Sequence, residues 1–155
     1  MTVVPDHAQV IAPPPLITAA AALAGVGLRS VWPMNFWPWG HAWIPSMACF
    51  FGAVVLAGAA AGLFWRARTT VLPHRTTTAL VTSGPYRLTR NPLYLSLGLL
   101  MAGAAFATNS LTVLAMLLPW AVVMRYGVIA REERYLEQKF GEDYRAYCRR
   151  VRRWL

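Results

Sequence analysis

The sequence of 155 residues is poor in acidic side chains, cysteine and histidine, with six Asp and Glu, two Cys and three His. Cys49 sits in an apolar run and Cys148 near the far end, so neither a disulfide framework nor a thiolate metal site is indicated. No Asp, Glu, Lys or Arg occurs from His7 to Leu28, from Val31 to Trp65 or from Asn91 to Met124. A proton-coupled exporter needs an acidic group inside a span, and none of these runs holds one. Gly25-Val26-Gly27 lacks the third glycine of a dinucleotide fingerprint and lies within an apolar run, so it does not mark a Rossmann site. No internal repeat is visible, and the N-terminus has no basic n-region of a signal peptide.

What is present suits lipid as the solvent. Hydrophobic residues make up 57% of the chain, and the mean hydropathy is +0.40. A bilayer crossing needs about 20 apolar residues, and the uncharged runs predict four transmembrane helices: Pro15–Trp32, Trp43–Trp65, Leu93–Ala107 and Leu111–Ala130. The third is short for a full crossing at about 1.5 Å per residue. The expected fold class is therefore all-α, an integral membrane bundle of about four helices with an amphipathic C-terminal helix. One domain, 1–155, is expected, with a flexible lead over 1–14 ahead of Pro13-Pro14-Pro15 and polar site segments over 78–94 and 131–155.

Lys and Arg number 15, for a net charge of +9. Arg66, Arg68, Arg75, Arg87 and Arg90 fall between spans two and three, and Arg131, Arg134, Lys139 and the arginines from Arg145 to Arg153 follow span four. Four crossings put both groups and both termini on one face, which the positive-inside rule assigns to the cytoplasm. Such a face suits anionic lipid head groups rather than nucleic acid. Arg29 is the exception at the far end, where snorkelling accounts for it.

Local signals divide the chain further. Gly58 and Gly62, four apart, predict close approach of another helix, within the molecule or, as the weaker reading, across a dimer. Trp32, Trp37, Trp39 and Trp43 form an aromatic belt around the far loop. Pro119 should bend span four. Gly141 should end its extension, with Glu142 and Asp143 opening a last helix whose Tyr144, Tyr147, Val151 and Trp154 share one stripe. That helix is expected on the membrane surface or across the mouth of the bundle.

Polar chemistry gathers at the basic face, over Thr82–Tyr94 and at Glu132-Glu133. Gly84-Pro85 and Asn91-Pro92 force a non-helical path. Pro92 then opens a helix whose free N–H groups favour an anion such as a ligand carboxylate. Tyr86 and Tyr94 offer rings to a cation and hydroxyls to an acceptor, and Glu132 or Glu133 can accept from an ammonium or a ribose. A carboxylate, an amine, a sugar and a cationic sulfur together describe S-adenosylmethionine.

Leu80-Val81-Thr82-Ser83-Gly84-Pro85-Tyr86, Arg90-Asn91-Pro92-Leu93-Tyr94, Glu132-Glu133 and Phe140-Gly141-Glu142-Asp143-Tyr144-Arg145-Ala146-Tyr147 follow one another in order and spacing. Together they resemble the isoprenylcysteine carboxyl methyltransferase and phospholipid methyltransferase superfamily, over roughly the second half of the chain. The resemblance implies S-adenosylmethionine held at the cytoplasmic ends of the last two spans. It implies Thr78, Ala79, Leu80, Val81, Tyr86, Asn91, Pro92, Leu93 and Tyr94 as cofactor contacts, with Glu132 as the acidic contact. Asn91 replaces the histidine of the eukaryotic enzymes, and Val128 stands where those enzymes carry a substrate-linked arginine. Arg125 lies seven residues before Glu132 and is the candidate substitute. The implied reaction is in-line displacement at the sulfonium methyl carbon, with no catalytic base assigned and no metal.

The acceptor expected is a lipophilic or amphiphilic small molecule, a carboxylate, thiol or amine, reaching the site from the bilayer. Two other readings stay open. The C-terminal part also resembles NADPH-dependent reductases of the steroid 5-alpha-reductase type, although Leu95-Ser96 stands where a Gly-Glu pair is expected. A non-catalytic membrane scaffold is the second. The oligomeric state is not readable from the sequence.

Overall fold

The computed structural model describes residues 8–38, 42–67 and 79–154. Within them the chain forms five helices and one short 3₁₀ turn: α1 (Pro14–Val31), α2 (Trp43–Arg66), the turn Gly84–Arg87, α3 (Pro92–Ala107), α4 (Leu111–Phe140) and α5 (Glu142–Arg150). Helices α1, α2 and α4 are long and apolar enough to cross a membrane, and α3 is a shorter apolar helix. The expected helical bundle is what forms, with α1, α2 and α3 each beginning and ending within a residue of the expected span. The exception is α4, whose 30 residues run about 45 Å against a hydrocarbon core of about 30 Å. Its last third therefore projects beyond the apolar layer and carries Glu132 and Glu133 with it.

Helix α4 is not uniform. Regular α geometry holds over Leu111–Ala115 and Leu117–Val123 and breaks at Met116, because Pro119 has no N–H and its ring crowds the carbonyl four residues back. A π turn follows over Met124–Ile129, and α geometry resumes at Ala130–Phe140. The core lies between α3 and α4, where Tyr94, Met101, Trp120, Met124, Val128 and Ile129 pack together. Helix α1 closes it through Ile17 and Ala21, and the Trp120 indole donates to Thr18 Oγ1 at 2.9 Å. Thr18 Oγ1 in turn donates to the Pro14 carbonyl at 2.9 Å, so the indole N–H is satisfied inside an apolar layer where a missing partner is costly.

At the end opposite the basic face the chain ties a polar knot. Asn109, at φ 45°, accepts from the N–H groups of Phe36 (3.3 Å) and Trp37 (2.9 Å) and donates to the Trp37 carbonyl at 3.1 Å. Arg29 donates to the carbonyls of Thr108 and Asn109, where helix α3 runs out of N–H partners. Its charged end is thus held at the far end of the bundle by main-chain carbonyls. In the expected aromatic belt Trp32 and Trp43 are exposed, whereas Trp37 packs edge-on against Phe106 with ring centroids 5.3 Å apart; Trp39 lies outside the described residues.

Three further expectations change. Gly58 and Gly62 have nothing within 4 Å of where a Cβ would stand, so their face takes no part in packing inside the described molecule. Residues 8–13, expected within a flexible lead, are docked: Ala8 is buried, Ile11 N–H donates to the Gly127 carbonyl at 3.2 Å, and Arg131 donates to the Gln9 carbonyl at 2.8 Å. The last helix stops at Arg150, with Val151 in an extended conformation, so Val151 and Trp154 do not share a helical stripe with Tyr144 and Tyr147. Tertiary hydrogen bonds to the Thr89–Asn91 segment take over from helical ones there.

Candidate functional site

A cavity of about 110 Å³ opens at the basic end, lined by Ala8, Phe64, Ala79–Val81, Tyr86, Arg90, Asn91, Leu93, Tyr94, Glu132, Glu133, Tyr135, Leu136, Tyr144 and Tyr147. Its position follows from the helix lengths. Helix α3 begins at Pro92 and α4 runs past it, so the start of α3 is recessed beneath the projecting end of α4. The 3₁₀ turn places Tyr86 inward, 7% exposed, and Phe64 at the end of α2 meets its ring edge-on at 5.6 Å.

The central contact runs from the Tyr94 hydroxyl to Glu132 Oε1 at 2.5 Å. It joins two sequence motifs 38 residues apart, and a phenol donating to a carboxylate is a strong hydrogen bond in a poorly hydrated site. The second oxygen of Glu132 carries no hydrogen bond within the described chain. Glu133, next in sequence, is fully engaged instead. Arg153 grips it at 2.9 and 2.7 Å, and Arg90 Nη1 stands 3.4 Å away. The two glutamates thus differ in kind: one faces the cavity with an acceptor to offer, the other holds the wall together.

Arg90 and Asn91 make up the rest of the polar rim. Arg90 Nη1 also contacts Cys148 Sγ, while its buried Nε has no partner among the described residues. Asn91 Nδ2 donates to the Arg153 carbonyl at 2.9 Å and its backbone N–H donates to Thr89 Oγ1 at 3.2 Å, leaving the carboxamide oxygen unbonded among the described residues. Burial pushes the Tyr86 phenol well above the ordinary tyrosine range, assisted by Tyr147 and Glu132. Burial also raises Tyr147, to about 12, and Tyr144, where Glu133 adds to the effect. These phenols stay neutral and able to donate at any physiological pH. The carboxylate of Glu133 raises the Arg153 guanidinium.

Of the residues named from the sequence, Ala79, Leu80, Val81, Tyr86, Asn91, Leu93, Tyr94 and Glu132 all line the one cavity. Pro92 is buried beside it and starts α3 without lining it, and Thr78 lies outside the described residues. Arg125 points elsewhere: it is exposed on the π turn, with its guanidinium 5.5 Å from the ring centroid of Tyr126. Val128 is fully buried in the core. Sequence reasoning missed Ala8, whose docking depends on backbone hydrogen bonds, and Tyr135, whose place depends on the π turn. Tyr144 and Tyr147 were visible as an aromatic pair of helical spacing, which is the signal that could have assigned them.

Comparison with known proteins places these residues in a family. Residues 64–143 match the model of the phospholipid methyltransferases. An uncharacterised protein of Haemophilus influenzae is 48% identical over 64 residues, covering 41% of this chain and 100% of that protein. The cobalt-zinc-cadmium resistance protein CzcN of Cupriavidus metallidurans is 37% identical over 115 residues, 73% of this chain and 51% of that one. The nickel-cobalt-cadmium resistance protein NccN of Alcaligenes xylosoxydans xylosoxydans is 31% identical over 113 residues, 73% of this chain and 52% of that one. The chain therefore spans about half the length of these two metal-resistance relatives. No solved structure matches. The family match runs from the end of α2 through the start of α5 and takes in the Asn91–Tyr94 motif, Glu132 and Gly141, and this integral membrane protein belongs to the phospholipid methyltransferase family.

Proposed function

We propose that the protein transfers a methyl group from S-adenosylmethionine to a lipophilic or amphiphilic small acceptor, a carboxylate, thiol or amine that enters from the bilayer. The observation that carries this reading is the Tyr94–Glu132 contact, which joins the two motifs inside one cavity. The residues present suit the cofactor. The open oxygen of Glu132 and the carboxamide oxygen of Asn91 suit an ammonium or ribose hydroxyl, and the unpartnered Arg90 Nε suits a carboxylate. Tyrosine rings suit a sulfonium, and Leu80, Val81, Leu93 and Leu136 suit the face of a purine.

When bound, S-adenosylmethionine supplies a methyl group on a positively charged sulfur. The chain's own part is to orient the two reactants and exclude water, which the aromatic walls and the neutral phenols favour. Nothing in this scheme requires a strong base for a carboxylate or thiolate acceptor. The basic end faces the cytoplasm in this reading, against anionic head groups.

Membranes containing the protein, incubated with methyl-labelled S-adenosylmethionine, should yield a labelled small lipophilic product by mass spectrometry of the extract. Calorimetry on purified protein should show binding of S-adenosylhomocysteine, and binding of NADPH alone would overturn the reading.

A further inference from the structure

Helix α5 is joined to the molecule in three different ways. It starts at a single linking residue, Gly141, whose φ of +53° suits glycine. Its inner face brings Tyr144 and Tyr147, each 4% exposed, into the cavity wall, and the Tyr147 hydroxyl donates to the Tyr86 carbonyl at 2.8 Å. Its far end continues as the extended strap Val151–Trp154. There Arg90 N–H donates to the Arg152 carbonyl at 3.0 Å, Thr89 Oγ1 and Asn91 Nδ2 donate to the Arg153 carbonyl, and Arg153 grips Glu133.

The cavity so covered measures about 110 Å³, against roughly 300–1,000 Å³ for pockets that hold drug-sized ligands. A nucleoside-sized molecule needs more room than this form of the cavity offers. Helices α3 and α4 are held by the apolar core. Helix α5 is short and rich in charge, with a one-residue joint behind it; its inner face buries only Tyr144 and Tyr147, and its strap reaches the apolar core through Trp154 alone.

We propose that α5 is a lid over the cofactor cavity, hinged at Gly141 and latched by the Arg153–Glu133 pair, so that these two are positioning residues for cofactor exchange. The inference rests on the cofactor reading above. With the latch closed, Tyr144 and Tyr147 shut the cavity against water; with Glu133 released, the strap leaves Thr89–Asn91 and α5 swings out as one piece.

The test uses the full chain in nanodiscs, with S-adenosylhomocysteine as the probe and stopped-flow displacement as the readout. Arg153→Ala should raise the dissociation rate about tenfold, since it removes a two-point charged contact. Arg153→Lys should restore part of it, and Tyr147→Phe should raise it about threefold without altering any charge. Trypsin should cut the Arg149–Arg152 run of the wild type more slowly when the probe is bound, and cut Arg153→Ala faster. Dissociation rates within twofold of wild type in both Arg153→Ala and Tyr147→Phe, with tryptic cleavage accelerated, would overturn the lid: α5 would then loosen without governing exchange. A wild type that fails to bind the probe overturns the cofactor reading itself and the lid with it. If Arg153→Ala fails to fold, Tyr147→Phe and the protection of the wild type by the probe decide.

Discussion

Each end of this bundle has an arginine and an asparagine beside a helix terminus, and they are used in opposite ways. At the far turn Asn109 bonds through both its oxygen and its nitrogen, and Arg29 bonds the carbonyls of Thr108 and Asn109 in the turn after α3. At the basic end, among the described residues, the Asn91 side chain bonds through its nitrogen only, and Arg90 keeps a buried Nε without a partner. In a low-dielectric setting an unsatisfied polar atom is costly, about 1–3 kcal/mol each. The first end is therefore built for stability. The second tolerates open donors and acceptors around a cavity, which is what a site for a polar ligand requires.

The sharpest way to break this contrast is to remove Glu132. Glu132→Ala should lower affinity for S-adenosylhomocysteine by at least about 100-fold, with the thermal unfolding midpoint in detergent held or raised, because an open buried carboxylate contributes to binding rather than to folding. Calorimetry and a thermal melt on the same preparation check both halves. Asn109→Ala should do the reverse, costing about 2–3 kcal/mol of stability through two orphaned N–H groups and a left-handed alanine, with probe affinity unchanged in the folded fraction. If it weakens binding as much as Glu132→Ala does, the two ends are not separate devices.

Tyr94→Phe tests a finer point. It removes one hydroxyl and should weaken probe binding about tenfold, while mass-spectrometric product yield falls in parallel. The smallest effect concerns pH. The Tyr147 phenol has a raised value of about 12 in the folded chain against an ordinary value of about 10, so its contribution is complete below pH 10 and is lost as pH rises from 10 to 12. Ultraviolet absorbance of phenolate should then appear together with faster tryptic cleavage in the Arg149–Arg152 run. Tyr147→Phe should abolish that link between the two signals.

The two ends were not equally legible in the sequence. The spans, the Pro119 break and the Gly141 stop are local effects of apolar runs, a missing N–H and a positive φ, and they appear where local rules put them. The pairing of Asn91–Tyr94 with Glu132 came from the resemblance to a family, and its geometry from the length of α4. What stayed hidden depends on backbone atoms, which the sequence of side chains does not mark. The Gly127 carbonyl receives Ile11, and the carbonyls of Arg152 and Arg153 receive the Thr89–Asn91 segment. The partners of Arg29 are hidden for the same reason, being main-chain carbonyls 79 and 80 residues away.

The π turn at Met124–Ile129 sets a constraint on anyone redesigning the protein. One residue of an ordinary helix corresponds to about 100° of rotation, so trimming a residue from this turn to regularise α4 would turn Glu132 away from the cavity and Glu133 away from Arg153 while leaving composition and hydropathy nearly untouched. For this helix, regularity and function are alternatives, and alignments that slide a gap across 124–129 will misassign the acidic residue by a quarter turn or more.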